Sequence, residues 1–401
     1  MENIDTIVIL NDFGYINGGA AKVAIQSAIA LSNKGYKVIY FCVVKPIDKE
    51  LLSAVNQVIC LEQEDILSND NKVQAAIQGI WNKKAYIKLQ ELIQKLPPKK
   101  TVYHVHGWIK ALTASIFAVM KKNNIVPFVT LHDYFSVCPN GGFYNYSKDK
   151  KCNLVPMGIK CLFCNCDKRS YIQKIWRYIR QAVQDKYIRY NNNIIYVYIS
   201  GFSFSKMKKY LKCNKYIYLK NPCDKFSVFV KDASLNKSYY YIGRMSPEKG
   251  IDLFLKAMTG LKLHGTVIGD GMDISLLEEK YPLIKFEGWK THKQIEDLII
   301  NARCLVYPSK WYEGSPLTIP EVLGCGIPCI VPDDCAAAGF IQDGINGYIY
   351  KSGNIGELKK AILKMESETK EGVFNYKQWN TDIYLIDKHV KDLICIYKKL
   401  A

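Results

Sequence analysis

Glu313 and Glu321 are two carboxylates with seven residues between them, Gly314-Ser315-Pro316-Leu317-Thr318-Ile319-Pro320. The stretch reads as a turn followed by a helix-like run. The first N–H groups of a helix lack internal partners and favour anions. The amides near Ser315 to Thr318 are therefore placed to hold a phosphate-bearing ligand, with Gly314, Pro316 and Leu317 bordering it. Glu313, ahead of the turn, and Glu321, expected two turns into the helix, would accept hydrogen bonds from its hydroxyls. Taken alone, the spacing also describes two solvated surface glutamates. A second constellation, Gly243-Arg244-Met245-Ser246-Pro247-Glu248-Lys249-Gly250, follows a strand-like run and precedes a helix beginning near Ile251. Arg244 offers a planar fork and Lys249 a point charge, and both neutralise phosphate oxygens. By itself this segment is equally a solvated basic turn.

The elements around these residues alternate between strand-like and helix-like runs, the pattern of α/β domains with parallel sheets. Thr6-Ile7-Val8-Ile9-Leu10 is an apolar run followed by a loop containing Gly18 and Gly19. Ala21, Ala24, Ile25, Ala28 and Ile29 then repeat at helical spacing, and Lys34-Gly35 closes the helix. Further strands are expected at 101–106, 127–132 and 194–199. The pattern restarts after Asn221-Pro222, with strands at 239–243, 263–269, 304–308 and 328–331.

With 401 residues, 49% of them hydrophobic, the chain is long enough for two such domains. No run of roughly 20 apolar residues marks a membrane span. The acidic start Met1-Glu2-Asn3-Ile4-Asp5 lacks the features of a secretory signal, so a cytoplasmic protein is expected. The net charge of +18, from 55 Lys and Arg against 37 Asp and Glu, suits nucleic acid, an anionic membrane surface or phosphorylated substrates. It also suits a genome that simply favours lysine. No zinc-finger, homeodomain or RNA-binding motif supports the nucleic-acid reading.

Together the two constellations resemble the retaining nucleotide-sugar glycosyltransferases of family 4. The resemblance rests on Gly243-Arg244-x4-Lys249-Gly250 followed by Glu313-x7-Glu321. Ile268-Gly269-Asp270-Gly271, Phe286-Glu287-Gly288-Trp289 and Asn221-Pro222 extend it along the chain, as does the C-terminal run with Ile383, Tyr384 and Tyr397. It implies the GT-B architecture: two Rossmann-like α/β domains facing across a cleft, with a C-terminal helix crossing back to the first. Residues 1–222 would be the acceptor domain with a Cys-rich insertion at about 138–166, residues 223–378 the donor domain, and 379–401 the returning helix.

It further implies transfer of a hexosyl group from a UDP- or GDP-sugar to a glycan hydroxyl with retention of configuration, in capsule, O-antigen or similar surface polysaccharide. The lack of any Asp-x-Asp pair points to catalysis without a metal or other cofactor. Arg244 and Lys249 would hold the diphosphate, Glu313 the sugar and Glu321 the ribose. Gly18, Gly19, Gly243, Gly269 and Trp289 would border the donor. His106, ending a strand before Gly107-Trp108, matches the family's active-site histidine, with His104 a lesser candidate, and His132, Asp133 and Tyr134 would line the acceptor side. A nucleotide-sugar epimerase or a basic nucleic-acid-binding protein are the alternative readings.

Two segments stand apart. Cys138, Cys152 and the pair Cys161-Leu162-Phe163-Cys164 offer four thiolates suited to a structural zinc, or else free thiols packed in a loop. From Lys168 to Arg189, Ile172, Ile175, Trp176, Ile179 and Val183 share one helical face, surrounded by Lys168, Arg169, Lys174, Arg177, Arg180, Lys186 and Arg189. Such a helix either packs on the first domain or touches anionic lipid, which would place the protein peripherally on the inner face of the cell membrane.

Overall fold

A computed structural model of the chain describes residues 4–212, 215–370 and 379–400. The residues at 1–3, and 371–378 at the expected end of the donor domain, lie outside the described residues. The chain divides into two units. The first comprises Met1–Phe143, Asn153–Pro222 and Ile386–Ala401, and the second Tyr144–Cys152 and Cys223–Leu385. Two segments group differently from the expectation: Tyr144–Cys152, read as part of a first-domain insertion, and 379–385, read as part of the returning helix, both belong to the second unit.

In the first unit the strands are β1 (Thr6–Leu10), β2 (Lys37–Cys42), β3 (Gln57–Cys60), β4 (Thr101–Val105), β5 (Phe128–Leu131), β6 (Ile195–Tyr198) and β7 (Tyr216–Tyr218). They form one parallel sheet in the order β3-β2-β1-β4-β5-β6-β7. Every residue of β1 is buried, as expected of a central strand covered on both faces. Helix α1 (Gly19–Asn33) turns Ala21, Ala24, Ile25, Ala28 and Leu31 inward. Helices α2 (Lys72–Ile80), α3 (Ile159–Leu162) and α4 (Tyr171–Asp185) lie further along this unit.

The second unit repeats the plan with β8 (Ser238–Ile242), β9 (Gly265–Ile268), β10 (Ile284–Gly288), β11 (Ala302–Val306), β12 (Cys329–Pro332) and β13 (Gly347–Tyr350). Their parallel order is β10-β9-β8-β11-β12-β13. Helix α5 (Ile251–Leu261) packs Phe254, Leu255 and Met258 into one apolar layer with Tyr239 and Val267. Helix α6 (Thr318–Gly324) packs Ile319, Val322 and Leu323 into another layer with Leu305 and Val331. In both sheets the strand order reverses once, between β1 and β4 and between β8 and β11. Loops leaving the carboxyl ends of strands at such a switch point are where open α/β sheets bind ligands.

The last helix, α7 (Ile386–Leu400), belongs to the first unit and drives Val390, Leu393 and Tyr397 into its core. The Tyr397 hydroxyl lies 2.5 Å from His104 Nδ1, and His104 Nε2 lies 2.7 Å from Thr130 Oγ1. His104, the lesser histidine candidate, thus spends one ring nitrogen on holding α7 to the sheet and the other on Thr130 of β5. His389 anchors the other end of the helix against Ser27 Oγ and the Lys220 carbonyl. Replacing Tyr397 with Ala removes a buried ring and its hydrogen bond. We expect a loss of about 3–5 kcal/mol, read by urea unfolding of the full chain. An unchanged midpoint would show that α7 does not contribute to this core.

Candidate active site

The loops after β8 and β11 leave adjacent strands, and a glycine lets them meet. Gly250 has φ +72, and a Cβ there would stand 1.9 Å from the Pro308 carbonyl oxygen. Only a residue without a side chain permits that approach. The Lys310 amide donates to the Glu248 carbonyl at 2.9 Å and joins the two loops further. With the backbones so close, Lys249 Nζ reaches Glu313 Oε1 at 2.6 Å, and the Ser309 hydroxyl donates to the same oxygen at 3.0 Å. Glu313 is buried. Burial by itself would raise its pKa, but the Lys249 ammonium and hydrogen bonds from Trp311 and Tyr307 together hold the carboxyl below the usual range. Glu313 is therefore an ionised acceptor, and Lys249 is a partly exposed cation fixed in place.

Arg244 lies on the same loop and is more than half exposed. Its guanidinium donates at 2.8 Å to Oε1 of Glu248, which is only 1% exposed. The other oxygen of Glu248 is buried and has no hydrogen-bond partner among the described residues. Glu248 was not singled out in the sequence, where a glutamate between Pro and Lys looks like a solvated turn residue. Gly243 and Gly269 also meet: a Cβ on Gly269 would stand 2.0 Å from the Gly243 carbonyl oxygen. This keeps the ends of β8 and β9 bare of side chains. Trp289 stands open to solvent with 67% of its surface exposed.

Glu321 departs from the expectation in position. Helix α6 begins at Thr318, so Glu321 sits in its first turn rather than its second. Pro316 fits the late start, because the residue before a proline, here Ser315, is biased away from the helical region, whereas Pro320 lies within the helix. Glu321 has two neighbours that the sequence did not reveal. Single ligand atoms of Asp224, His292 and Glu321 lie within 4.8 Å of one another, and they form the one group of three metal-capable side chains among the described residues. The His292 ring is held by stacking on Phe226 at 4.3 Å between centroids.

In the first unit, His106 follows β4 and is buried. Its Nδ1 lies 3.0 Å from His132 Nε2, and its Nε2 has no hydrogen-bond partner among the described residues. Burial, reinforced by the neighbouring histidines, pushes its pKa well below the usual value. The ring is neutral. Asp133 is exposed and Tyr134 buried. The loop after His106 is held by Asp12, another residue not foreseen. The backbone N–H groups of Lys110, Ala111 and Leu112 all donate to its carboxylate at 2.8–2.9 Å. Gly18 has only open space where a Cβ would stand, so no local contact requires a glycine there.

Among the described residues no group of three metal-capable side chains includes a cysteine, and Cys152 groups with the second unit while Cys138, Cys161 and Cys164 group with the first. Cys161 instead lies 3.3 Å from Nζ of the fully buried Lys174. Lys174, Arg180 and Arg189 are buried too, so the basic surround of α4 is narrower than its sequence suggests.

Two outcomes follow from this geometry. Gly250→Ala is expected to cost about 1–3 kcal/mol of backbone strain, seen as a lower unfolding midpoint; an unaltered midpoint would contradict the close approach at Pro308. Burial lowers the pKa of His104 and of His132 from 6.5 to about 3. An unfolded ring takes up its proton near the ordinary value, while the folded ring does so only far below it. These rings thus lend stability above the ordinary value that is lost as pH falls toward the folded one. Their ring NMR signals should stay flat from about pH 8 to about pH 5; a titration near neutrality would refute the burial.

Known proteins place this geometry. Residues 230–375 match the family described as glycosyl transferases group 1. An uncharacterized glycosyltransferase of Methanocaldococcus jannaschii is 24% identical over 185 residues, which are 45% of this chain and 51% of that protein. The lipopolysaccharide 1,6-galactosyltransferase of Escherichia coli is 30% identical over 133 residues, 29% of this chain and 36% of that protein. The chain thus spans about half or less of the length of these relatives. Among solved structures, a sucrose-phosphate synthase from Thermosynechococcus elongatus superposes with a TM-score of 0.69 at 15% identity, covering 99% of both chains. The Anabaena protein HepE in complex with UDP-glucose does so with a TM-score of 0.66 at 13% identity, covering 98% of this chain and 100% of that one. The fold is GT-B, and the second unit carries a domain of the glycosyl transferases group 1 family.

Proposed function

We propose that the chain is a retaining, metal-independent glycosyltransferase that moves a hexosyl group from a UDP- or GDP-sugar to a glycan hydroxyl in surface polysaccharide synthesis, such as capsule or O-antigen. The observation that carries the reading is the 2.6 Å pair of Lys249 and buried Glu313 at the switch point of the second sheet. The HepE complex with UDP-glucose, on the same fold, supports a nucleotide-sugar donor. The lipopolysaccharide galactosyltransferase relative supports a glycan acceptor.

Breaking the glycosidic bond leaves negative charge on the departing nucleoside diphosphate. Lys249 and Arg244 are assigned to that charge. Both are already positioned by carboxylates, so they need little reorganisation when it develops. The bare backbone at Gly243 and Gly269 gives the diphosphate room for close approach, with the segment Gly314, Ser315, Pro316, Leu317 and Thr318 beside it. Glu313, ionised, accepts from sugar hydroxyls, Glu321 from the ribose, and Trp289 borders the base. The acceptor hydroxyl attacks the anomeric carbon on the face the phosphate leaves, and its proton passes to the departing phosphate oxygen. Configuration is retained without a protein nucleophile. In the first unit Gly18 and Gly19 are assigned to the donor loop, His106 to the transferred sugar, and His132, Asp133 and Tyr134 to the acceptor. The enzyme is proposed to work on the inner face of the cell membrane, on a lipid-linked glycan.

Lys249→Ala and Glu313→Ala should each lower kcat/KM for donor turnover by at least about 100-fold in a protein that remains folded by circular dichroism. The initial rate should be unaffected by EDTA. Near-normal turnover in both variants would refute the assignment, and a Mg²⁺-reversible loss in EDTA would refute the metal-free scheme. Running the assay over UDP- and GDP-hexoses identifies the donor.

A further inference from the structure

Helix α4 is held along two edges and open between them. On one edge Trp176 Nε1 donates to the Ala76 carbonyl of α2 at 3.0 Å. On the other, the Tyr171 hydroxyl donates to the Leu162 carbonyl at the end of α3, and the Tyr178 hydroxyl to the Met157 carbonyl just before it. At 3.6 residues per turn, Ile172 and Ile179 project between these two edges. Ile172 is 82% exposed and Ile179 is also exposed. The flanking helices continue the character outward. Val73 and Ile77 are exposed on α2, one turn apart, and Ile159 and Phe163 are more than 70% exposed at α3. A recess of about 400 Å³ lined by Val73, Ile77 and Trp81, with Lys83 and Lys84 among its lining residues, adjoins α2.

Cations border this apolar surface. Lys160 on α3, and Lys168 and Arg169 just before α4, are all exposed. The one carboxylate in that stretch, Asp167, is buried against Arg177 at 2.6 Å and does not neutralise them. The first turn of α4 contains no acidic residue. Exposed aliphatic and aromatic side chains rimmed by Lys and Arg suit an anionic bilayer, where the apolar groups enter the headgroup boundary and the cations meet lipid phosphates. A protein partner is a poorer match, because protein interfaces are depleted in lysine.

We propose that the outer face of α2, α3 and α4 is the surface by which this chain docks on an anionic phospholipid membrane. This rests on the peripheral location proposed above, and it does not depend on the donor chemistry. Residues 157–169 and the first half of α4 supply this surface of the first unit, with Ile159, Phe163 and Ile172 entering the lipid and Lys160, Lys168 and Arg169 holding its phosphates.

The test uses the full chain in co-sedimentation with vesicles of phosphatidylcholine alone or mixed with phosphatidylglycerol, at low salt. One variant carries Ile159→Ser, Phe163→Ser and Ile172→Ser, and another Lys160→Glu, Lys168→Glu and Arg169→Glu. All six positions are exposed, so both variants should fold. The wild type should bind only the phosphatidylglycerol vesicles, and each variant should bind about tenfold less. Donor hydrolysis in solution, read in parallel, should be unchanged; its absence in the wild type would count against the catalytic reading and not against this one. Failure of the wild type to bind, or equal binding by the variants, would overturn the proposal. So would a wild-type dimer in solution that the serine variant abolishes, because the face would then belong to a second copy.

Discussion

The contact between Lys249 and Glu313 depends on the absence of one side chain. Gly250 lets the loop after β8 lie against the Pro308 carbonyl, and that closeness brings an ammonium and a buried carboxylate to 2.6 Å. A carboxylate in this position without its cation would be costly to keep ionised, and a lysine without the carboxylate would have no fixed direction. Each makes the other useful. The same loop carries Arg244, tied to Glu248, so both cations of the site are held by partners that are themselves buried. The parallel sheet supplies the rest, because β8 and β11 are neighbours where the strand order reverses.

The first unit uses the same topology with different chemistry. Its switch-point loops bring together a neutral histidine and a carboxylate that is consumed by backbone amides. Asp12 satisfies three N–H groups of the loop after His106, which gives that histidine a fixed platform. The neighbouring histidines serve different ends. His104 ties the C-terminal helix into the core, while His106 keeps one ring nitrogen without a partner among the described residues.

The alternation of strands and helices was legible because apolar runs and helical spacing are local properties. The carboxyl ends of β4, β8 and β11, where His106, Arg244, Lys249 and Glu313 stand, could be read in the same way. The helix after Glu313 starts a turn later than expected, beyond Pro316. Residues whose role depends on distant contacts were not legible. Glu248 looks like any turn glutamate until its burial is known, and Asp12 shows no sign in the sequence of the loop that it holds. Asp224 comes from a loop and His292 from the first turn of the helix His292–Ile299, both distant in sequence from Glu321. The cysteine spacing likewise gave no sign of Lys174, which the fold places against Cys161.

The central claim is that Lys249 and Arg244 exist to receive a diphosphate beside Glu313. A crystal structure of the full chain with a bound nucleoside diphosphate hexose tests it most directly. The account predicts phosphate oxygens within hydrogen-bond distance of Lys249 Nζ and the Arg244 guanidinium, with a sugar hydroxyl donating to Glu313. A nucleotide seated elsewhere, with these three side chains making no contact to it, would contradict the account.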